Sequence, residues 1–166
     1  MRSNIENTLL NKIRDLSSIK TIVSNWQKDG KKVVFTNGVF DLLHLGHITY
    51  LAKAAELGDK LIIGLNSDRS VKRIKGESRP VNDQNNRAAL LAALFFVDAI
   101  VVFEDDTPLN LITALMPDIL VKGADYSVEN IVGGKEVIAN GGEVKTINLV
   151  EGYSSTSIIE KIRNQL

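Results

Sequence analysis

Short apolar segments alternate with helical patterns along most of this chain, and this alternation limits the folds open to it. The segments cover residues 33–35, 61–65, 100–103, 119–121 and 143–147. The first four are almost continuously apolar, which is typical of parallel strands covered on both faces. Apolar residues in the intervening stretches recur at helical spacing. The alternation predicts an α/β fold with a doubly wound, parallel, five-stranded sheet and right-handed crossovers.

The first thirty residues follow a different pattern, in which two helices come before any strand. Apolar residues recur at helical spacing from Ile5 to Leu16 and again from Ile19 to Trp26. A serine at 17 or 18 is the expected cap of the second helix, and Gly30 is its expected end. We therefore predict an N-terminal helical extension over 1–30 and one domain over 31–166. A packing role is the simpler interpretation of the extension, and a regulatory or dimerising role is the alternative.

Two stretches in the middle of the chain carry more specific structural predictions. Residues 69–79 are expected to form an irregular, basic connection. Asn82 or Asp83 is the expected cap of the helix that follows. That helix is predicted to turn four apolar side chains inward, namely Leu90, Leu91, Leu94 and Phe95.

Charge and composition exclude several classes of function. Twenty basic side chains balance twenty acidic ones, so no overall field attracts nucleic acid or a membrane surface. The sequence has no cysteine, which excludes disulfides, thiolate catalysis and thiolate metal sites. No apolar stretch is long enough for a signal core or a membrane span. We expect a soluble, cytoplasmic protein without nucleic-acid or membrane partners, in which local groups bind any anion.

Ligands of doubly wound folds bind beyond the carboxyl ends of the strands, where the winding reverses. The loop after the first predicted strand contains Gly38, His44 and His47, and the chain has no other histidines. Two imidazoles at the start of a helix, beside unpaired backbone N–H groups, predict an anion site. A purely structural pair is one alternative. A zinc site is another, but the chain has no third histidine, no cysteine and no H-E-x-x-H spacing to support it.

Three further loops at the same edge of the sheet carry polar groups that could bind a ligand. Each group also has a simpler, purely structural interpretation. Five cations lie within residues 69–79, which are otherwise typical of a solvated loop. Gly123 permits close approach of a ligand, and Asp125 beside it binds a ligand or forms an Asx turn. The hydroxyls of 154–156 at a helix start suit a phosphate, or they only cap the helix. Residues 104–106 are interpreted as a solvated acidic turn.

The segment T-N-G-V-F-D-L-L-H-L-G-H at 36–47 resembles the signature of the nucleotidyltransferase superfamily that carries an H-x-G-H motif. Residues 66–82, 118–126, 133–144 and 152–162 are more narrowly similar to the heptose-1-phosphate adenylyltransferases. The resemblance covers roughly residues 18–164. In many bacteria that activity is the C-terminal half of a bifunctional protein whose other half is a sugar kinase, so this chain looks like a stand-alone form.

The resemblance implies a Rossmann-like nucleotidyltransferase fold and transfer of AMP from ATP to a heptose 1-phosphate, for surface polysaccharide or lipopolysaccharide synthesis. It implies ATP and a sugar phosphate as partners, a homo-oligomer, and Mg²⁺ bound mainly through the ATP phosphates. The expected catalytic residues are His44, His47, Lys72 and Lys75. The expected nucleotide-binding residues are Thr36, Asn37, Gly38, Phe40, Gly46, Lys122, Gly123, Asp125, Ser154, Ser155 and Thr156. The expected substrate-binding residues are Asp41, Asn66, Arg79 and Arg87. Asp41 is further expected to hold its loop or a histidine by hydrogen bonds.

One departure from the wider superfamily bears on the substrate. Cytidylyltransferases that make polyol nucleotides commonly carry an Arg-Thr pair where this chain has Leu149 and Val150. The departure favours the heptose branch and leaves open which cation replaces the arginine. A cytidylyltransferase acting on a polyol phosphate such as glycerol 3-phosphate is the alternative enzyme. A nucleotide-binding module without catalysis is the alternative from another class.

Overall fold

The predicted alternation of strands and helices is present in the computed structural model, which describes residues 4–165. The strands are β1 (Ile13–Arg14), β2 (Val33–Gly38), β3 (Lys60–Asn66), β4 (Ala99–Phe103), β5 (Ile119–Gly123) and β6 (Glu143–Ile147). The helices are α1 (Ile5–Leu10), α2 (Leu16–Lys28), α3 (Leu45–Ala55), α4 (Asp68–Lys75), α5 (Gln84–Ala92), α6 (Leu109–Leu115), α7 (Gly134–Ala139) and α8 (Ser155–Arg163), with a short 3₁₀ helix at Val128–Asn130. Among these residues no helix has both the length and the apolar character to cross a bilayer.

All strand pairs are parallel, and the order across the sheet is β1-β4-β3-β2-β5-β6. The chain first builds outward from β2 through β3 to β4. It then crosses to the other side of β2 and adds β5 and β6. The winding therefore reverses between β2 and β5, where Val34 lies opposite Ile119. The carboxyl ends of these two strands form the crevice in which such folds bind ligands.

The doubly wound parallel fold is confirmed, but the sheet has six strands rather than five. The additional strand, β1, places Ile13 opposite Ile100 at the outer edge of β4. The helical spacing of Ile13 with Leu9 and Leu16 indicated a helix there, whereas α1 already ends at Leu10. A strand of two residues is too short to give an alternating signal. The division of the chain at residue 30 stays a prediction.

Two apolar layers cover the faces of the sheet. Neighbouring residues of a strand point to opposite faces, so Val34 and Ile63 belong to one layer and Phe35 and Ile62 to the other. All four side chains are fully buried. Each contributes roughly 1.5–3 kcal/mol through removal from water. Because both faces of these strands are buried, their sequences are almost continuously apolar.

The connection predicted over residues 69–79 is mostly helical. Ser67 caps α4 by accepting a hydrogen bond from the Ser70 amide at 3.1 Å, and the helix continues to Lys75. Val71 is fully buried and anchors this charged helix to the domain. Because only one apolar residue of α4 is buried, the sequence lacked the repeated apolar spacing that indicates a helix. Only residues 76–79 form an irregular turn.

Two details of the other helices also differ from the prediction. Asp15 caps α2, through a 2.7 Å hydrogen bond from the Ser18 amide, so the cap is not a serine. In α5, capped by Asp83, Leu91 is fully buried as predicted. Phe95, however, is 91% exposed, because the helix ends at Ala92 and Phe95 lies in the turn beyond it. Leu90 lies on the outer side of α5 and is 40% exposed.

Candidate active site

A cavity of about 590 Å³ opens at the carboxyl ends of the strands, where the winding reverses. It is the place at which the fold predicts a ligand. Sixteen of the predicted site residues line it: Asn37, Gly38, Phe40, Asp41, His44, Gly46, His47, Asn66, Lys75, Arg79, Lys122, Gly123, Asp125, Ser154, Ser155 and Thr156. They come from five different loops and strand ends. The individual roles assigned to them stay predictions.

Three predicted site residues do not line this cavity. Thr36 is fully buried, and its hydroxyl lies 2.8 Å from the hydroxyl of Tyr50. Lys72 lies on the outer surface of α4, with its ammonium 3.5 Å from Glu77. Arg87 lies beneath the cavity floor and is fully buried. These positions require that any effect of Thr36 or Arg87 on a ligand passes through neighbouring residues.

The two histidines form a stacked pair at the start of α3. His44 is the N-cap residue, and its Nδ1 accepts a hydrogen bond from the His47 amide at 3.4 Å. The ring centroids are 3.7 Å apart, with 23° between the ring planes. Gly46 makes this arrangement possible, because a Cβ atom there would lie 3.0 Å from the His44 ring and 3.2 Å from Cβ of Tyr153. Both imidazoles therefore sit together at the cavity wall.

Burial disfavours the protonated form of both imidazoles. The pKa of His47 is lowered from 6.5 to about 4, mainly by loss of hydration and to a lesser extent by the neighbouring His44. The backbone of Leu42 opposes this shift only in part. Burial also lowers the pKa of His44. A neutral imidazole still offers one N–H donor, so the pair suits charge that arrives with a ligand or develops during a reaction.

Asp41 holds the histidine loop to the loop after α4. Its side chain is almost fully buried and accepts three hydrogen bonds. The donors are Arg79 Nε at 2.6 Å, the Val81 amide at 2.8 Å and the Asn82 amide at 3.0 Å. Of the two functions expected for this carboxylate, loop anchoring is thus the one that the geometry supports.

Arg87 ties three segments together from below. Its guanidinium donates to the Val39 carbonyl at 2.7 Å, to the Asn82 carbonyl at 3.0 Å and to Asp68 Oδ1 at 2.7 Å. Val39 belongs to the histidine loop, and Asp68 begins α4. These donors are engaged within the protein, and the substrate contact expected for Arg87 stays a prediction.

The cluster of cations on and after α4 is mostly neutralised by ion pairs. Two arginines of α4 reach the acidic turn after β4: Arg69 to Glu104 at 2.9 Å, and Arg73 to Asp106 at 2.8 Å. The acidic turn is therefore exposed, as predicted, but it is paired rather than only solvated. Lys72 faces Glu77 and Arg79 faces Asp41. Within residues 4–165, Lys75 is the one of these five cations with no carboxylate within 4.0 Å, and it lines the cavity.

Lys122 supplies a second cation to the cavity, from the end of β5. Burial lowers its pKa from 10.5 to about 8, and the nearby Asp125 opposes this shift. Its ammonium lies 5.6 Å from the centre of the Tyr126 ring. At pH 7 about nine molecules in ten still carry the positive charge. A partly desolvated ammonium of this kind attracts an anion more strongly than one in bulk water.

One wall of the cavity was not predicted. It is mainly apolar and contains Tyr126, Ile131, Val132, Leu149 and Tyr153. Tyr126 and Tyr153 are half-exposed aromatic residues in loops, which is a signal that could have indicated a ligand platform. Ile131 and Val132 gave no such signal, since only the fold brings them to this wall. The cavity also includes Val39, Tyr50, Ile74, Asp106, Thr107, Pro108, Asn130 and Val150.

Known proteins are similar to this chain in sequence and in fold. A family described as cytidylyltransferase-like matches residues 35–161. Two curated proteins, each named bifunctional protein HldE, come from Campylobacter concisus and Methylobacillus flagellatus and are 55% and 50% identical over 153 and 151 residues. The alignments cover 92% and 91% of this chain but only 31% of each relative. The chain thus spans less than a third of the length of the curated relatives it matches.

Two crystal structures are similar in fold. A lipopolysaccharide core biosynthesis protein from Thermoplasma volcanium matches with a TM-score of 0.59 and 31% identity, over 75% of this chain and 100% of that one. A pantoate-beta-alanine ligase from Francisella tularensis matches with a TM-score of 0.57 over 92% of this chain and 76% of that one. At 16% identity, the second match concerns the fold alone.

Proposed function

The chain belongs to the cytidylyltransferase-like family, and from this premise we propose that it transfers AMP from ATP to a heptose 1-phosphate. The products are pyrophosphate and ADP-heptose, for lipopolysaccharide or other surface polysaccharide synthesis. The observation that carries the proposal is one cavity that unites a stacked histidine pair with the cations Lys75 and Lys122. Support for the acceptor comes from the similarity to the HldE proteins and to the motifs of heptose-1-phosphate adenylyltransferases.

The reaction needs positioning and charge neutralisation rather than a strong base. An oxygen of the sugar phosphate attacks the α-phosphorus of ATP. The bond from that phosphorus to the bridging oxygen of the β-phosphate breaks, and its electron pair leaves with pyrophosphate. The attacking oxygen is already anionic near neutral pH. What accelerates such a transfer is in-line geometry and donors aimed at the developing charge.

The residues of the cavity divide this work. His44 and His47 donate to oxygens of the α-phosphate and of the leaving pyrophosphate. Lys75 and Lys122 add positive charge from opposite sides of the crevice, since Lys75 is the last residue of α4 and Lys122 the second-last residue of β5. The first turn of α8 offers backbone N–H groups and the hydroxyl of Thr156 to a phosphate. In this proposal Lys122 supplies the charge that polyol cytidylyltransferases draw from arginine.

We propose that Mg²⁺ enters the site bound to the phosphates of ATP. Within the part of the chain that the structure describes, no three His, Asp or Glu side chains converge as a metal site. An ion that is bound mainly through the ATP phosphates would need no such cluster, and Lys75 and Lys122 would hold the nucleotide that carries it. Bound in this way, Mg²⁺ neutralises phosphate charge.

A matrix of substrates tests the proposal. Pyrophosphate release is measured with ATP or CTP, each paired with heptose 1-phosphate or glycerol 3-phosphate. We expect release with ATP and heptose 1-phosphate, and a loss of at least about a hundredfold in kcat for His47→Ala, the usual cost of a donor aimed at developing charge. Turnover with CTP and glycerol 3-phosphate would instead identify the alternative cytidylyltransferase. Nucleotide binding without release on any acceptor would identify a non-catalytic module.

Two further expectations belong to the same proposal. A cytoplasmic location follows from the need for ATP. Association into a homo-oligomer is checked by light scattering of the purified protein, where a monomer mass at working concentration would contradict it.

A further inference from the structure

Phe40, in the loop between β2 and α3, has an uncommon backbone conformation. Its φ angle is 47°, in the left-handed region where a bulky side chain is strained and glycine is the usual residue. The sequence supplies glycine two residues earlier, at Gly38, rather than here. A strained conformation at a cavity wall persists only when its surroundings enforce it.

The residues on both sides of Phe40 are fixed by buried polar groups. The carbonyl of Val39 accepts the 2.7 Å hydrogen bond from Arg87. The carboxylate of Asp41 accepts from Arg79 and from two backbone amides. Gly38 leaves room for the ring, because a Cβ atom there would lie 2.9 Å from Cε2 of Phe40. The surrounding loop thus holds Phe40 in place and directs its ring.

The ring of Phe40 lies against His47. The two ring centroids are 5.1 Å apart, with 65° between their planes. His44 stacks on the same imidazole, with centroids 3.7 Å apart. His47 therefore contacts two rings, and that of Phe40 belongs to a residue that is only 6% exposed. Without Phe40 the imidazole would lose one of these two supports.

We propose that Phe40 is a positioning residue for adenylyl transfer: its ring, aimed by the left-handed backbone at residue 40, fixes the His47 imidazole for donation to the reacting phosphates. This inference rests on the proposed function and goes beyond the nucleotide contact expected for Phe40 from the motif. Glycine at this position would relax the backbone but remove the ring. The strain is retained because the position of His47 depends on it.

A kinetic double-mutant cycle tests whether Phe40 acts through His47. In the wild-type background, Phe40→Leu is expected to lower kcat about 10- to 100-fold, since small misplacement of a catalytic group has costs of this order. The KM for ATP should change less than about threefold, because the residue acts on the transition state. In a His47→Ala background, measured by single turnover, the same substitution should cost less than about threefold. Equal losses in both backgrounds would overturn the proposal.

Leu91→Ala is the matched control. Leu91 belongs to the same apolar layer as Phe40 and is fully buried on α5. We expect this variant to melt at a lower temperature while its kcat, measured below that temperature, stays within about twofold of wild type. If Phe40→Leu does not fold, Phe40→Met takes its place in the cycle, because it nearly conserves the side-chain volume.

Two measurements without turnover separate this inference from the proposed function. In ¹H NMR titrations, Phe40→Leu should raise the pKa of His47 toward 6.5, because water then reaches the imidazole. An unchanged His47 titration in the folded variant would contradict a shielding, positioning ring. Phe40→Gly should also melt at a higher temperature than Phe40→Ala, because only alanine is strained at this φ angle. An equal or lower melting temperature for the glycine variant would overturn the part assigned to the backbone.

Discussion

Protonation of His47 is the property of the site that can be tested most directly. Loss of hydration is the main cause that lowers its pKa from 6.5 to about 4. At pH 7 the empty protein therefore carries a proton on His47 in roughly one molecule in a thousand. A bound triphosphate brings negative charge to the same wall, and an opposite charge favours the imidazolium. We expect ATP to raise the pKa of His47 by at least about one unit, so that binding below pH 6 takes up protons.

The assay is ¹H NMR of the imidazole Cε1–H signals over pH 3.5 to 8. The chain has two histidines, so two signals appear, and His47→Gln assigns them by removing one. In the empty protein, one signal should titrate near 4 and the other below 6.5. Titration of both signals at or above 6.5 without ATP would refute the argument from burial. An unchanged titration of His47 with saturating Mg-ATP would refute its contact with phosphate.

The same shift affects stability, and its sign follows from proton binding. The unfolded chain binds a proton at residue 47 below about pH 6.5, whereas the folded protein resists protonation until about pH 4. The free energy of unfolding therefore falls as pH decreases through this window. The full shift corresponds to about 3 kcal/mol, and solvent screening at this partly exposed side chain reduces it. His47→Gln should flatten this part of the curve in urea titrations at pH 4 to 7. An identical slope in both proteins would contradict the assignment.

Three further substitutions follow from the ion pairs and free cations of the site. Asp41→Asn breaks the buried ion pair with Arg79. Urea denaturation should show that the free energy of unfolding falls by about 3 kcal/mol. Unchanged stability and activity would exclude an anchoring role for Asp41. Lys75→Ala should lower kcat/KM for ATP at least about tenfold, whereas the matched Lys72→Ala should change it less than about threefold. Among the described residues, Lys75 lines the cavity and has no carboxylate partner, whereas Lys72 lies outside the cavity and faces Glu77. Equal effects would show that α4 contributes only overall charge. ATP affinity should weaken above pH 8 as Lys122 loses its proton, because the anionic nucleotide binds the charged ammonium more tightly than the neutral amine. Lys122→Met should remove this dependence in calorimetric titrations, and a dependence retained in the variant would assign it to another group.

The parts of the fold that were predictable are those encoded within one short segment. The apolar strand β2 and the histidine loop after it lie side by side in sequence, and the parallel arrangement brought the other loops to the same edge. The edge strand β1 was missed because two residues at Ile13 and Arg14 carry no periodicity. Helix α4 was missed because Val71 is its one buried apolar side chain. Its other apolar residue, Ile74, is half-exposed, and five of the remaining six residues are charged.

Within the site, the sequence indicated which residue types are suited to phosphate but not which of them already have partners within the protein. Lys72 and Lys75 are three residues apart in one basic helix, and only the fold assigns the first to Glu77 and the second to the cavity. Arg87 looked like a ligand contact, yet its donors are used by Val39, Asn82 and Asp68. The apolar wall at Ile131 and Val132 comes from a loop distant in sequence, so no local pattern indicated it.

The hydrogen bonds between Leu42 and Ser155 have a consequence for the order in which the site matures. The Ser155 hydroxyl donates to the Leu42 carbonyl at 3.0 Å and accepts from the Leu42 amide at 3.3 Å, across 113 positions of sequence. During synthesis the histidine loop is therefore made long before the Ser155 hydroxyl that binds it. Until the last helix leaves the exit tunnel, the nascent chain can complete its central strands but cannot close the cavity wall around the imidazoles. This part of the cavity wall therefore depends on a contact that can form only after Ser155 has been synthesised.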